Sequence, residues 1–203
     1  QLGWSIRPEM AAEGLASREN LSDDLSDTGK WRLAKMFDRY TDRLFGDILV
    51  PITGMEASWL ALEQAILVAQ KEGSAIHGLH VIPPKAPVDE TGSQAIQARF
   101  GGRCQEVNLP GSLVVEKGSI PRKVCERALL ADLIVLNASH PPMPGLSSLR
   151  SGLRTIIRGS ARPILTIRET LSPMDNALLA FDGGSKSKEA LFVAAYLAEK
   201  WHT

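Results

Sequence analysis

"GDILVPIT" (46–53) is a short apolar run closed by Gly54, and "ASWLALEQAILVAQKEG" (57–73) follows it directly. The first stretch has the length and the Val, Ile and Leu content of a strand buried on both faces. The second is too long for a strand. It brings Leu62, Ala65, Ile66 and Ala69 onto one face of a helix. A buried strand feeding a helix through a glycine turn is the opening unit of an α/β sheet, and the rest of the chain extends it.

Downstream the alternation continues. "SAIHGLHVI" (74–82) reads as a strand, "PPKAPVDETG" (83–92) as a loop, and 93–107 as a helix. "SLVVEKG" (112–118) is a strand, and Ser119 caps a helix that runs to about Leu130, with Pro121 in its first turn. "DLIVLN" (132–137) is a strand. The helix near 147–159 groups Leu149, Leu153, Ile156 and Ile157, and "PILTIR" (163–168) is the fifth strand. Five buried-type strands alternate with four helices. Right-handed crossovers then predict an open, doubly wound parallel sheet of the Rossmann or flavodoxin-like kind. Upstream, residues 1–45 form an N-terminal extension, polar at first and then amphipathic over 28–44 through Leu33, Phe37, Tyr40 and Leu44.

The chain also repeats itself. With Thr53 set over Asp182, Leu49 meets Leu178, Gly54 meets Gly183 and Ser58 meets Ser187 without a gap. Ala61, Leu62, Ala65, Ala69 and Lys71 likewise meet Ala190, Leu191, Ala194, Ala198 and Lys200. Residues 176–203 therefore read as the first β–α unit of a second, incomplete copy, after a complete domain over 46–170. One such unit buries too little surface to fold alone. Gln1 in place of Met fits a chain that is processed or cut from a longer one.

Composition narrows the function. Hydrophobic residues make up 44% and charged residues 23%, as in an ordinary globular domain. The 23 basic and 23 acidic side chains balance, so the basic excess of a nucleic-acid binder is missing. No apolar run reaches the length of a membrane span, and no signal peptide is visible. Cys104 and Cys125 match no zinc or redox spacing and suit a reducing cytoplasm. "GGSKS" (183–187) fails the P-loop pattern, because position 180 is Ala and Ser185 precedes Lys186. His77 and His80 lie three apart on one strand and face opposite sides, so no shared metal is expected. No Ser/His/Asp grouping sits at a nucleophile elbow.

"DILVPITGMEAS" and "LLAFDGGSKSKEAL", followed by "GLHVI", "GSIPRKVCERA" and "ADLIVLNASH", together resemble the universal stress protein family, an adenine nucleotide alpha hydrolase-like fold. The resemblance covers about 46–169 and again 176–203. It implies strand order 3-2-1-4-5. It also implies pairing through the fifth strand, 163–168, as a homodimer or a tandem pseudo-dimer. Many members bind ATP or a related nucleotide, and others bind none and act through protein contacts.

In that order the sheet reverses between strands one and four, and a ligand crevice opens beyond their carboxyl ends. The resemblance implies Pro51, Ile52, Thr53 and Val81 at the base. It implies Asn137, His140, Arg150, Ser151 and Gly152 at the phosphates. Nucleotide-binding members carry Gly-x2-Gly-x9-Gly-Ser/Thr there. Here Asn137, His140 and Arg150 replace the three glycines, and only Ser151 matches. Aligning Gly159–Ser160 with the motif instead leaves no room for a helix before Pro163. Thr53 stands where binders usually have Asp; the second copy keeps Asp182 followed by Gly183. Simpler roles compete at each position. Asn137 suits a turn, His140 a surface loop, and Thr53 with Glu56 a capping box. Arg150, Arg154 and Arg158 form a solvated stripe, although the Arg150 guanidinium is able to replace lost phosphate contacts.

The leading expectation is a cytoplasmic, non-enzymatic stress-response domain that works by association and by ligand or partner binding. The alternative is an ATP or AMP sensor with a degenerate phosphate loop, and a slow ATPase is the least favoured reading. No metal is expected.

Overall fold

The structure, a computed structural model, describes residues 43–87, 89–138 and 147–203, with backbone only for 147–151. The N-terminal extension expected over 1–45 thus falls almost wholly outside the described residues, as does His140. Leu44–Thr203 form one compact unit. Its elements are β1 (Asp47–Pro51), α1 (Glu56–Glu72), β2 (Ala75–Ile82), α2 (Glu90–Glu106), β3 (Gly111–Lys117), α3 (Ile120–Ala128), β4 (Leu133–Asn137), α4 (Ser147–Gly159), β5 (Ile164–Ile167) and α5 (Ser185–Trp201). Every strand pair is parallel, and the order is β3-β2-β1-β4-β5.

β1 is central because both its faces and both its edges are used. Ile48, Val50 and Ile52 pack with α1 in one buried cluster, while Leu49 packs with Val124 of α3 and Ile156 of α4 in the other. Its start is pinned beside β4: the Asp132 Oδ2 accepts from the amides of Gly46 and Asp47, each at 3.1 Å. α1 ends where Gly73 turns left-handed at φ 67°, a conformation that glycine adopts without penalty.

α1 is buried on its sheet side and on its back. Gln64 is 1% exposed, and its amide exchanges two hydrogen bonds with the backbone of Ser172 at 3.0 and 2.8 Å. Glu72, at the last turn, is 5% exposed. It accepts from Trp201 Nε1 at 2.6 Å, from the Tyr196 hydroxyl at 3.0 Å and from the Leu44 amide at 3.0 Å. A carboxylate is tolerated at that depth only when donors replace its water. Phe45 meets Trp201 edge-on at 6.3 Å, and Val193 and Leu197 pack on the same cluster. The C-terminal segment is thereby fastened across the outer face of α1.

The structure departs from the sequence reading in four places. α2 begins at Glu90, inside the stretch read as loop, because Asp89 caps it through the Gly92 amide at 2.9 Å. α3 stops at Ala128, short of the expected Leu130; turn bonds from Leu130 and Ala131 then lead into β4. The capping box of Thr53 and Glu56 does not form: the N-cap of α1 is Met55, and Glu56 instead pairs with Arg99 at 3.1 Å. Finally, 176–182 carries no strand, and Leu178 is 99% exposed. The helix read after it does form, as α5.

Trp201→Ala removes a ring contact and a donor to buried Glu72, and should lower stability in urea unfolding by about 3 kcal/mol. Leu178→Ala, at a site with nothing to lose, should change it by less than about 0.5 kcal/mol.

Candidate functional site

The carboxyl ends of β2, β1 and β4 lie side by side. Pro51 pairs with Leu79, so Val81 stands level with Thr53; continuing the β1–β4 register sets Asn137 beside Ile52. The fold therefore brings Pro51, Ile52, Thr53, Val81 and Asn137 to one end of the sheet. Gly152 lies in the first half of α4, where an added Cβ would come within 3.7 Å of Pro121. Ser151 and Arg150 are in the first turns of α4, with side chains outside the described residues.

Ile52, Thr53, Val81 and Asn137 each have partners within the protein at this end. Ile52 is buried; its amide donates to the Leu79 carbonyl at 2.9 Å. Its own carbonyl accepts from His80 Nδ1 at 2.8 Å, which requires the proton on Nδ1. Thr53 is exposed, and its hydroxyl accepts a long bond from the Met55 amide at 3.4 Å. Val81 is buried in the cluster that also holds Leu136. The Asn137 Nδ2 donates to the Arg168 carbonyl at 3.1 Å, tying the end of β4 to the residue just past β5. That bond engages one of the two N–H donors of the Asn137 amide.

A brace beside the β1 turn was not legible in the sequence. Gly54 sits at φ 86°, and its carbonyl accepts from Trp59 Nε1 at 3.3 Å. The Arg99 guanidinium lies 4.2 Å from the Trp59 ring centroid and pairs with Glu56. Such a cation over a ring is attracted by its π face. Glu56 and Arg99 are 43 positions apart, so no local spacing links them.

In the C-terminal segment Asp182 receives the Gly184 amide at 2.8 Å, next to Gly183 at φ 80°. The Ser187 hydroxyl and that amide hold its carboxyl below the ordinary value. The carboxylate thus braces the start of α5. His77 bonds to Asp47 at 2.7 Å and His80 to Ile52, consistent with the two rings facing apart. Among the described residues no group of three His, Cys, Asp or Glu side chains converges to hold a metal. Among them, too, no helix is long and apolar enough to cross a membrane.

Residues 45–168, more than half of the chain, match the model of the universal stress protein family. Among solved structures the chain is similar to universal stress protein UspA from Lactobacillus plantarum. That match has 19% identity and a TM-score of 0.52, and covers 62% of this chain and 99% of that one. It is also similar to a universal stress protein from Archaeoglobus fulgidus DSM 4304, with 16% identity and a TM-score of 0.64. The second likeness reaches further, over 78% of this chain, and spans 63% of that longer one. No curated protein matches the sequence.

Gly54→Ala sets a Cβ at positive φ and 3.1 Å from Ile96 Cδ1. It should cost about 1–2 kcal/mol in urea unfolding, through the turn that carries Thr53.

Proposed function

We propose, because this chain belongs to the universal stress protein family, that it serves a stress response by association and by partner binding, without turnover. The observation that carries this reading is the Asn137 bond to the Arg168 carbonyl. Where the family's phosphate loop opens with glycine, this chain has a side chain committed to holding two strand ends together. Thr53 adds a hydroxyl where a carboxylate would bind a base more strongly.

One observation favours a second reading, an ATP or AMP sensor. Ile52, Thr53, Val81 and Asn137 meet where the sheet order reverses, the position at which such sheets take ligands. The amides at the start of α4 then suit phosphate oxygens, with Ser151 and Gly152 nearby and Arg150 as a charged substitute for the glycines.

Melting with and without Mg-ATP separates the two. A ligand at a hundredfold excess over Kd stabilises by about 2.7 kcal/mol. We expect a shift below about 1 °C for the unaltered protein, well short of that linkage. A variant combining Thr53→Asp, Asn137→Gly, His140→Gly and Arg150→Gly should gain a measurable shift. Tight binding by the unaltered protein would replace the first reading with the sensor.

Association is proposed through β5. The Pro163 and Ile167 carbonyls accept from β4, so the amide of Thr166 points away from β4, toward the open edge. An open apolar edge invites pairing. Light scattering should give the mass of a dimer, or the edge should be taken by a tandem copy. Thr166→Pro removes an outward donor while sparing the β4 ladder, and should yield a monomer with a nearly unchanged melting temperature. The two cysteines are unpaired, in keeping with a cytoplasmic location.

A further inference from the structure

The sequence repeat is matched by a repeat of hydrogen bonds. Ser58 Oγ donates to the Met55 carbonyl at 2.7 Å, and its counterpart Ser187 donates to the Gly184 carbonyl at 3.0 Å. The Met55 amide reaches Thr53, and the Gly184 amide reaches Asp182. Gly54 and Gly183 share positive φ, at 86° and 80°. α1 and α5 each run 17 residues and end in a left-handed residue, Gly73 and His202. Beyond them Ser74 donates to the Phe45 carbonyl, and Thr203 donates to the Met174 carbonyl. Turn, helix and helix end are thus reproduced at equivalent positions.

Burial is not reproduced. Leu49, Ile52 and Leu62 are 3%, 1% and 0% exposed; their counterparts Leu178, Phe181 and Leu191 are 99%, 55% and 47% exposed. α5 is apolar on two sides. Val193, Leu197 and Trp201 face the first domain. Leu191, Ala195 and Ala198, about a third of a turn round the helix, are exposed. Those three stand where α1 has Leu62, Ile66 and Ala69, all of which are buried. The docked side meets α1 through its own counterpart, since Trp201 and its acceptor Glu72 occupy equivalent positions. Contact between equivalent positions is the geometry of an isologous interface.

We propose that 177–181 and the bare side of α5 are the seat of a second parallel sheet, set back to back with the first across α1 and α5. Its occupant is polypeptide of the β2–β5 pattern: apolar, β-branched strands that pair with both edges of 177–181 and lie on Leu191, Ala195 and Ala198. This surface is continuous with the α1–α5 contact already made. The proposal rests on the repeat and on family membership, not on the ligand reading.

Hydrogen exchange tests it on two proteins: the 203-residue chain, and the same chain with a second copy of residues 75–169 appended after Thr203. In the first, amides 178–181 should exchange as fast as an unstructured peptide. In the second they should slow by about a hundredfold or more, and Ala195→Glu should restore fast exchange while β1 stays protected. Fast exchange at 178–181 in the appended chain, with β1 protected, would overturn the proposal. So would protection in the 203-residue chain: if it persists on dilution the chain covers the segment itself, and if it is lost a second copy does. Loss of β1 protection would count instead against the fold. As a second measurement, Leu191→Ser with Phe192→Ser should leave the melting temperature of the 203-residue chain unchanged; a fall would show the surface is already covered and sink the idea.

Discussion

β1 is a strand because β2 and β4 take the hydrogen bonds of both its edges and two helix layers take its two faces. An extended backbone alone has no internal bonds to gain and leaves its polar groups to water. Residues 176–182 show the consequence. They share the pattern of β1 and lead through a similar turn into a helix of the same length, yet among the described residues no strand pairs with them and they form none. Pairing, not local preference, makes the difference between the two segments.

The second dependence is on α1. A helix on the outside of a sheet normally shows water its back, but here that back carries Gln64 and Glu72, both buried and both satisfied by the C-terminal segment. The Glu72 carboxylate gathers donors from residues before β1 and from α5. Such a group is costly when any partner is removed, because the charge stays buried after its donor has gone. It therefore selects one docking position for α5 among the many that apolar contact alone would allow.

At the carboxyl end of the sheet the same economy of polar groups decides chemistry. Asn137 and His80 each spend a side-chain donor on a backbone carbonyl, closing the strand ends. Trp59 and Arg99 brace the turn at Gly54 from one side. The polar side chains described at this end of the sheet, Thr53, His80 and Asn137, bond to the protein's own backbone.

The strand–helix alternation and the parallel sheet were legible in the sequence, because burial on two faces demands continuous apolar runs and one-sided burial demands helical spacing. So was the grouping of Pro51, Ile52, Thr53, Val81 and Asn137, which follows once the strand order is known. Three features waited for the tertiary structure: the partners of Glu72, the brace of Trp59 and Arg99, and the bond that occupies Asn137. Nothing in the local sequence marks Glu72, since the donors that bury it stand up to 129 positions away. Local pattern records which faces a segment must hide. Which distant group hides them depends on how the chain returns on itself, and no short-range spacing encodes that.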